Sequence, residues 1–212
     1  MCLRLLLVAA VASSLTCSEE NPIAHLLTMS EVGSEQTRPL LRVTLPASWD
    51  ENWFSSPVVY DLDRDGENEI IASRHSVLYV WDAGGSMKWR APVGLPASTS
   101  EDHGSSRMYC SPAVGDLDAD GRGEIAIVYD RYAAVYDDDG TLHPGWPRAF
   151  PGSEGEIRTL ASEDLDNDGR YEIVVMKTGE GPVTMVWRID GTVFPGWPQL
   201  ADRHSGNDFG GY

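Results

Sequence analysis

The chain has 212 residues, of which 42% are hydrophobic and 23% charged. This composition is typical of a packed globular protein and excludes an intrinsically disordered chain. With 16 Lys and Arg against 33 Asp and Glu, the formal charge is −17, which excludes the basic face that a nucleic-acid-binding protein needs. The 21 Gly and 13 Pro predict many turns and few long helices, so we expect an all-β fold.

Residues 1–17 have the pattern of a secretory signal. Arg4 precedes an apolar run from Leu5 to Leu15, which is short for a membrane span. The sequence around Cys17 resembles a lipoprotein cleavage site at which this cysteine is lipidated, and Ala10-Val11-Ala12 is an alternative site of ordinary cleavage. We therefore expect an exported protein, extracellular, periplasmic or at the cell surface, with membrane attachment only through a lipid anchor at Cys17.

A polar stretch follows the signal. Residues 18–38 are predicted to form a tether, and residues 39–46 an outer strand without a sheet of its own.

The pattern D-L-D-x-D-G-x-x-E-I then occurs three times, at residues 61–70, 116–125 and 164–173. A short apolar run precedes each copy, and two β-rich runs and a Trp-bearing segment follow it, which predicts four strands in each unit. The first aspartates of successive copies are 55 and then 48 residues apart, a period typical of propeller blades.

Each acidic loop has the chemistry of a calcium site. Calcium prefers about six to eight oxygen ligands, and alternate side chains of a tight loop can turn toward one ion. Counting from the first Asp, glycine at position 6 allows the sharp turn that directs the position-7 carbonyl to the ion. The predicted ligands are the carboxylates of positions 1, 3, 5 and 9 and the backbone carbonyl of position 7: Asp61, Asp63, Asp65, Glu69 and Glu67; Asp116, Asp118, Asp120, Glu124 and Arg122; Asp164, Asp166, Asp168, Glu172 and Arg170.

Other interpretations of the loops are weaker. An EF-hand needs a bidentate Glu at position 12 between two helices, whereas position 12 is Ala72, Ile127 or Val175 within β-branched sequence. Magnesium demands stricter octahedral geometry and keeps more water than a loop so rich in carboxylates suggests. Three Ca²⁺ ions, one in each loop, would change the charge from −17 to −11 and relieve repulsion among twelve crowded acids. This predicts folding that depends on calcium.

The three repeats resemble the FG-GAP/VCBS repeat family, whose integrin-α-like β-propeller blades carry a calcium loop between their first two strands. The resemblance implies an all-β protein with blades of four antiparallel strands over about 55–99, 110–152 and 158–200. Three blades are fewer than the four to eight of a closed propeller, so we expect a partial propeller, formed by a fragment or by an open arc.

Several further residues are better explained by structure than by chemistry. One Trp in each unit predicts packing between blades, with stacking on sugar rings as the alternative; Trp49 and Trp53 are better candidates for ligand contact. The insertion 94–109, which contains His103, is interpreted as a solvated loop. Cys110 is predicted to be buried, and Asp137-Asp138-Asp139 to form a hairpin turn rather than a second metal site. The tryptophans predicted to pack between blades, one in each unit, are Trp89, Trp146 and Trp197.

These observations predict an exported, calcium-binding propeller module that is not an enzyme and that presents its loops to a protein or glycan partner. No Ser-His-Asp signature, phosphate-binding glycine loop or HExxH motif is recognisable. The alternative is a fragment of a calcium-bearing propeller polysaccharide lyase, such as a rhamnogalacturonan lyase, or of another carbohydrate-active enzyme. A third interpretation is that the blades only space or stabilise another domain.

Overall fold

Three β-sheets follow one another along the chain in the computed structural model, which describes residues 43–46, 55–93, 106–152, 155–179 and 182–201. All of these lie in one compact unit, Val43–Tyr212. None of the described residues forms a helix that is long and apolar enough to cross a membrane. Some predictions fall outside the described residues: the signal 1–17 with Cys17, the tether 18–38, Trp49, Trp53 and His103.

Each sheet is an antiparallel meander of four strands, so the predicted blade is confirmed. The first three strands of each blade agree with the short apolar run and the two β-rich runs predicted from the sequence, apart from small shifts at their ends. The strands are β1 Val58–Tyr60, β2 Glu69–Arg74, β3 Val77–Trp81 and β4 Met87–Pro92; β5 Ala113–Gly115, β6 Glu124–Tyr129, β7 Tyr132–Tyr136 and β8 Arg148–Ala149; and β9 Ile157–Glu163, β10 Glu172–Lys177, β11 Pro182–Arg188 and β12 Gln199–Ala201.

The fourth strand differs among the blades. Trp89 lies within β4 as predicted, but Trp146 and Trp197 lie in turns just before β8 and β12. The Trp146 amide donates to the carbonyl of His143 (3.1 Å), and the Trp197 amide to that of Phe194 (3.2 Å). The prolines around these two tryptophans cannot donate to a strand ladder, so the outer strand forms only after the turn.

The predicted outer strand at 39–46 is not a strand over its described part, 43–46. Instead, Leu45 packs against Tyr79 and Trp81, and the Trp81 Nε1–H donates to the Pro46 carbonyl (3.0 Å). The segment therefore covers the side of the first blade that faces away from the second.

The hydrophobic core lies between the blades. Because strand side chains alternate, the middle blade uses both of its faces. On β6, Ile125 and Ile127 join a cluster with the first blade, whereas Ala126 and Val128 join a cluster with the third. Every residue of β6 is consequently buried. Adjacent blades are thus held together mainly by burial of apolar surface.

Two tryptophans also join neighbouring blades by a hydrogen bond. The Trp89 Nε1–H donates to the carbonyl of Asp138 (2.7 Å), and the Trp146 Nε1–H donates to the carbonyl of Ile189 (2.6 Å). In both cases the acceptor lies in the hairpin turn of the next blade, two residues before the turn glycine. Trp197 is half-buried against the cluster of the second and third blades. The predicted packing role is confirmed for Trp89 and Trp146.

The insertion 94–109 is partly buried at its described end, 106–109. Met108 is buried in the cluster between the first two blades, and its amide donates to the His75 carbonyl (2.8 Å). The Ser106 hydroxyl donates to Asp130 Oδ2 (2.6 Å). The prediction of a solvated loop is therefore wrong for Ser106 and Met108, which are buried between blades, whereas Arg107 is exposed as expected.

The remaining two predictions have different outcomes. The hairpin turn is confirmed, since the Gly140 amide donates to the Asp137 carbonyl (3.0 Å). Cys110 is a free cysteine that is only partly buried, because it lies just outside the cluster of the second and third blades. This burial raises the pKa of its thiol to about 11, against the opposing charge of Arg158, so it is protonated at neutral pH.

Candidate metal centre

Each acidic loop connects the first and second strands of a blade, as the resemblance implies. The position-9 glutamate is the first residue of the second strand, and it pairs with the last residue of the first: Tyr60 with Glu69, Gly115 with Glu124, and Glu163 with Glu172. Strand pairing therefore closes the loop and places the glutamate backbone at its base.

In each loop, the carboxylates of positions 1, 3 and 9 come together. Their ligand oxygens lie within 4.8 Å of one another, close enough for each group to hold a metal ion. We call these groups the first, second and third triads: Asp61, Asp63 and Glu69; Asp116, Asp118 and Glu124; Asp164, Asp166 and Glu172.

The position-9 glutamates are the buried members of the triads. One oxygen of each accepts a hydrogen bond from the backbone N–H of position 2: Leu62 (2.9 Å), Leu117 (2.6 Å) and Leu165 (2.8 Å). This bond orients the carboxylate, so that its other oxygen is available to an ion.

The position-5 aspartates lie outside the triads. In all three loops, Oδ1 of this residue accepts a hydrogen bond from the backbone N–H of position 7 at 2.8 Å. The donors are Glu67 to Asp65, Arg122 to Asp120 and Arg170 to Asp168. The position-7 side chains are exposed, in agreement with a residue that is needed only for its backbone. Their carbonyls remain predicted ligands.

Two positions in each loop have a left-handed backbone. The glycines of position 6 have φ of 93°, 97° and 89°, and their amides donate to the position-1 aspartate. Position 4 is also left-handed, with φ of 61° at Arg64, 64° at Ala119 and 59° at Asn167. Sequence reasoning missed position 4, because only Asn there is a residue that favours this conformation.

Position 2 has a role that the sequence did not reveal. The carbonyl of Leu62 accepts the amide of Gly123, and that of Leu117 accepts the amide of Tyr171, both at 2.8 Å. Each bond joins position 2 of one loop to position 8 of the next. The Leu62 and Leu117 side chains are 1% exposed beneath the following blade, whereas Leu165 is 44% exposed. The loops are therefore linked from blade to blade.

Burial makes the ionised carboxylates of the triads unfavourable unless a cation is bound. Burial raises the pKa of Glu124 to about 7, although the Leu117 amide opposes the shift, and burial likewise raises the pKa of Glu172. Asp61 Oδ1 is buried without a hydrogen-bond partner. An unpaired buried carboxylate oxygen is costly, and an ion coordinated there would remove the cost. The residues present therefore fit a bound metal ion.

The first triad differs because a lysine contacts it. Hydrogen bonds and charge from Lys88 lower the pKa of Asp63, despite some desolvation. Burial alone would lower the pKa of Lys88, but its bonds to Asp63 and Glu69 raise it above the ordinary range.

We expect a divalent cation to bind the second triad more weakly as the pH falls from about 8 to about 6. Glu124 must be ionised to coordinate, and its pKa of about 7 means that protons compete in this range. Without metal the stability changes in the opposite sense. The folded-state pKa of Glu124 lies above its ordinary value of 4.5, so the stability that this group contributes falls as the pH rises from about 4.5 to about 7. Calorimetric titrations at several pH values test this, and a pH-independent affinity would contradict it.

The fold and the site define a class: an all-β protein of repeated four-stranded blades, each with an acidic loop that could hold a metal ion. The chain belongs to the family of FG-GAP-like repeats, whose model matches residues 61–127 and 116–175, together more than half of the chain. No curated protein gives a significant match.

Two solved structures are similar to this chain at low sequence identity. BBS1N, crystallised in complex with ARL6DN and soaked with mercury, is 14% identical with a TM-score of 0.48 over 73% of this chain and 47% of that one. The V. cholerae biofilm matrix protein Bap1 is 18% identical with a TM-score of 0.32 over 65% of this chain and 27% of that one. This chain therefore spans less than half the length of either structure. The family match gives no support to the polysaccharide-lyase alternative.

Proposed function

We propose that this chain is an exported calcium-binding repeat protein without catalytic activity, whose blades present ordered loops to a protein or glycan partner. The observation that carries the proposal is the recurrence of one carboxylate triad at the same place in three blades. Calcium suits ligands that are all carboxylate or carbonyl oxygens in a flexible loop, and a dication offsets the crowded negative charge.

Binding in one loop would also order its neighbour. In the second loop, the Leu117 amide is held by Glu124 while the Leu117 carbonyl accepts the Tyr171 amide of the third blade. An ion on Glu124 would therefore help to hold Leu117, whose carbonyl contacts the third loop. A row of rigid loops is the kind of surface on which binding residues are presented, which supports a role in recognition.

Calorimetric titration with calcium tests the proposal. We expect about three ions in the wild type and one fewer in Glu124→Gln, because an amide is a poorer calcium ligand than a carboxylate. Glu67→Gln is the matched control: it removes the same charge from an exposed side chain at position 7, where only the carbonyl is predicted to bind. Absence of binding, or an equal loss in both variants, would contradict the assignment.

Export and partner binding rest on the N-terminal segment and on the exposed loops. We expect the chain in the secreted or membrane-attached fraction of its cells, and its binding to an immobilised glycan or protein to require calcium. A purely cytoplasmic chain, or partner binding that persists unchanged in EDTA, would contradict these two parts respectively.

A further inference from the structure

A lysine from the outer strand of the first blade reaches the first triad. The Nζ of Lys88, on β4, lies 2.7 Å from Asp63 Oδ2 and 3.0 Å from Glu69 Oε1. Its side chain is 29% exposed, and Glu69 is buried. One ammonium group therefore bridges two of the three carboxylates that could hold an ion in this loop.

The other triads have different cation contacts. Arg64 approaches only Asp116 of the second triad (2.9 Å), and Arg188 approaches only Asp166 of the third (3.5 Å). Both guanidinium groups are planar and more exposed than Lys88. Among the described ion pairs, Lys88 alone bridges two members of one triad.

The type of residue matters. An ammonium is a compact point charge with three donors, so it can lie among oxygens where a bare metal ion would bind, whereas a guanidinium is a broad fork. The chain has only two lysines, and the other, Lys177, is buried against the ring of Phe150. A metal ion and the Lys88 ammonium cannot contact the same oxygens of Asp63 and Glu69, since two cations at that separation repel strongly.

We propose that Lys88 is a tethered cation that competes with calcium for Asp63 and Glu69, so that the first loop binds its ion more weakly than the other two. The inference rests on the proposed function, because it assumes that the loops bind calcium. Asp61 Oδ1 is buried without a hydrogen-bond partner, so Lys88 does not satisfy the whole triad, and calcium would still gain a ligand there. The first loop would thus respond to calcium over a higher concentration range.

Calcium titration of Lys88→Met tests the competition. Methionine keeps the length of the apolar stem without the charge. In the wild type we expect two stronger sites and one weaker site, and in Lys88→Met at least about a tenfold increase in affinity at the weaker one. Lys88→Arg keeps the charge but replaces the compact ammonium with a broad guanidinium, so its affinity at this site is expected to lie between those of the wild type and Lys88→Met. Arg188→Met is the control, because it removes a cation that approaches a single carboxylate.

The outcomes separate this inference from the proposed function. If the wild type binds calcium and Lys88→Met leaves every affinity unchanged, or if Arg188→Met produces the same gain, the role of Lys88 is overturned while calcium binding stands. If neither protein binds calcium, both proposals fail. A melting experiment in EDTA gives a second readout: Lys88→Met should melt below the wild type, because the first triad loses its counter-cation, and the difference should shrink in saturating calcium. A variant that melts with or above the wild type in EDTA would also overturn the proposal.

Discussion

Removal of calcium with EDTA is expected to lower the melting temperature by roughly 10–30 °C relative to saturating calcium. An ion present at about a hundredfold excess over its dissociation constant stabilises the folded state by about 2.7 kcal/mol. For a chain of this size, each kcal/mol shifts the melting temperature by about 2–4 °C. Two or three ions would therefore supply a large share of a typical free energy of unfolding of about 5–15 kcal/mol.

Two controls distinguish coordination from general screening. Raising the sodium chloride concentration in EDTA should recover only part of the loss, because monovalent ions weaken repulsion without binding the triads. Magnesium should recover less than calcium at equal concentration, because it dehydrates reluctantly and demands octahedral geometry. A melting temperature that does not change on chelation would contradict the calcium-binding function.

The second large effect is expected from Trp187→Ala, which should lower the free energy of unfolding by about 3–5 kcal/mol. Trp187 is 2% exposed in the cluster of the second and third blades. Its ring contacts Trp146 edge-on (centroids 6.0 Å apart) and Phe150 (6.3 Å), both from the second blade. Truncation would leave a cavity at the junction of two blades, so side chains of both blades would lose packing contacts.

Urea unfolding in saturating calcium measures this difference. Val193→Ala is the control on the same blade: this valine is 48% exposed, so its truncation is expected to change stability by no more than about 0.5 kcal/mol. Equal unfolding midpoints for the two variants would mean that the interface between the second and third blades contributes little. Because the clusters join adjacent blades, we expect Trp187→Ala to unfold in one transition with the rest of the unit rather than blade by blade.

The residues that the sequence identified are those whose chemistry is local. Glycine at position 6 is needed for a left-handed turn within the loop. The position-9 glutamate is the first residue of a strand, and the apolar β-forming residues that follow it predict where that strand begins. Alternation of apolar residues predicted the strands, since the period of a strand is read from its own residues. The same locality explains why the carboxylates of positions 1, 3, 5 and 9 were predicted from the sequence to turn toward one ion.

The features that the sequence did not reveal depend on contacts between residues far apart in the chain. The sequence predicted the carboxylates of positions 1, 3, 5 and 9 as ligands of one ion. The structure brings those of positions 1, 3 and 9 together, while Oδ1 of the position-5 aspartate accepts a backbone N–H of the loop. The predicted outer strand at 39–46 is not a strand over its described part, 43–46, where Leu45 and Pro46 contact the first blade through a side chain and a carbonyl.

By itself, the sequence determined the repeat, the four-stranded unit and the acidic loops, because turn geometry, strand alternation and carboxylate chemistry act over a few residues. Only the tertiary structure decided which side of each blade is covered, why Leu62 and Leu117 are buried while Leu165 is exposed, and that Lys88 reaches the first triad. Those contacts depend on packing between blades and on which side chains a folded sheet brings together. Lys88 lies 25 residues from Asp63 in the sequence, and the residues next to it do not indicate that the two side chains meet.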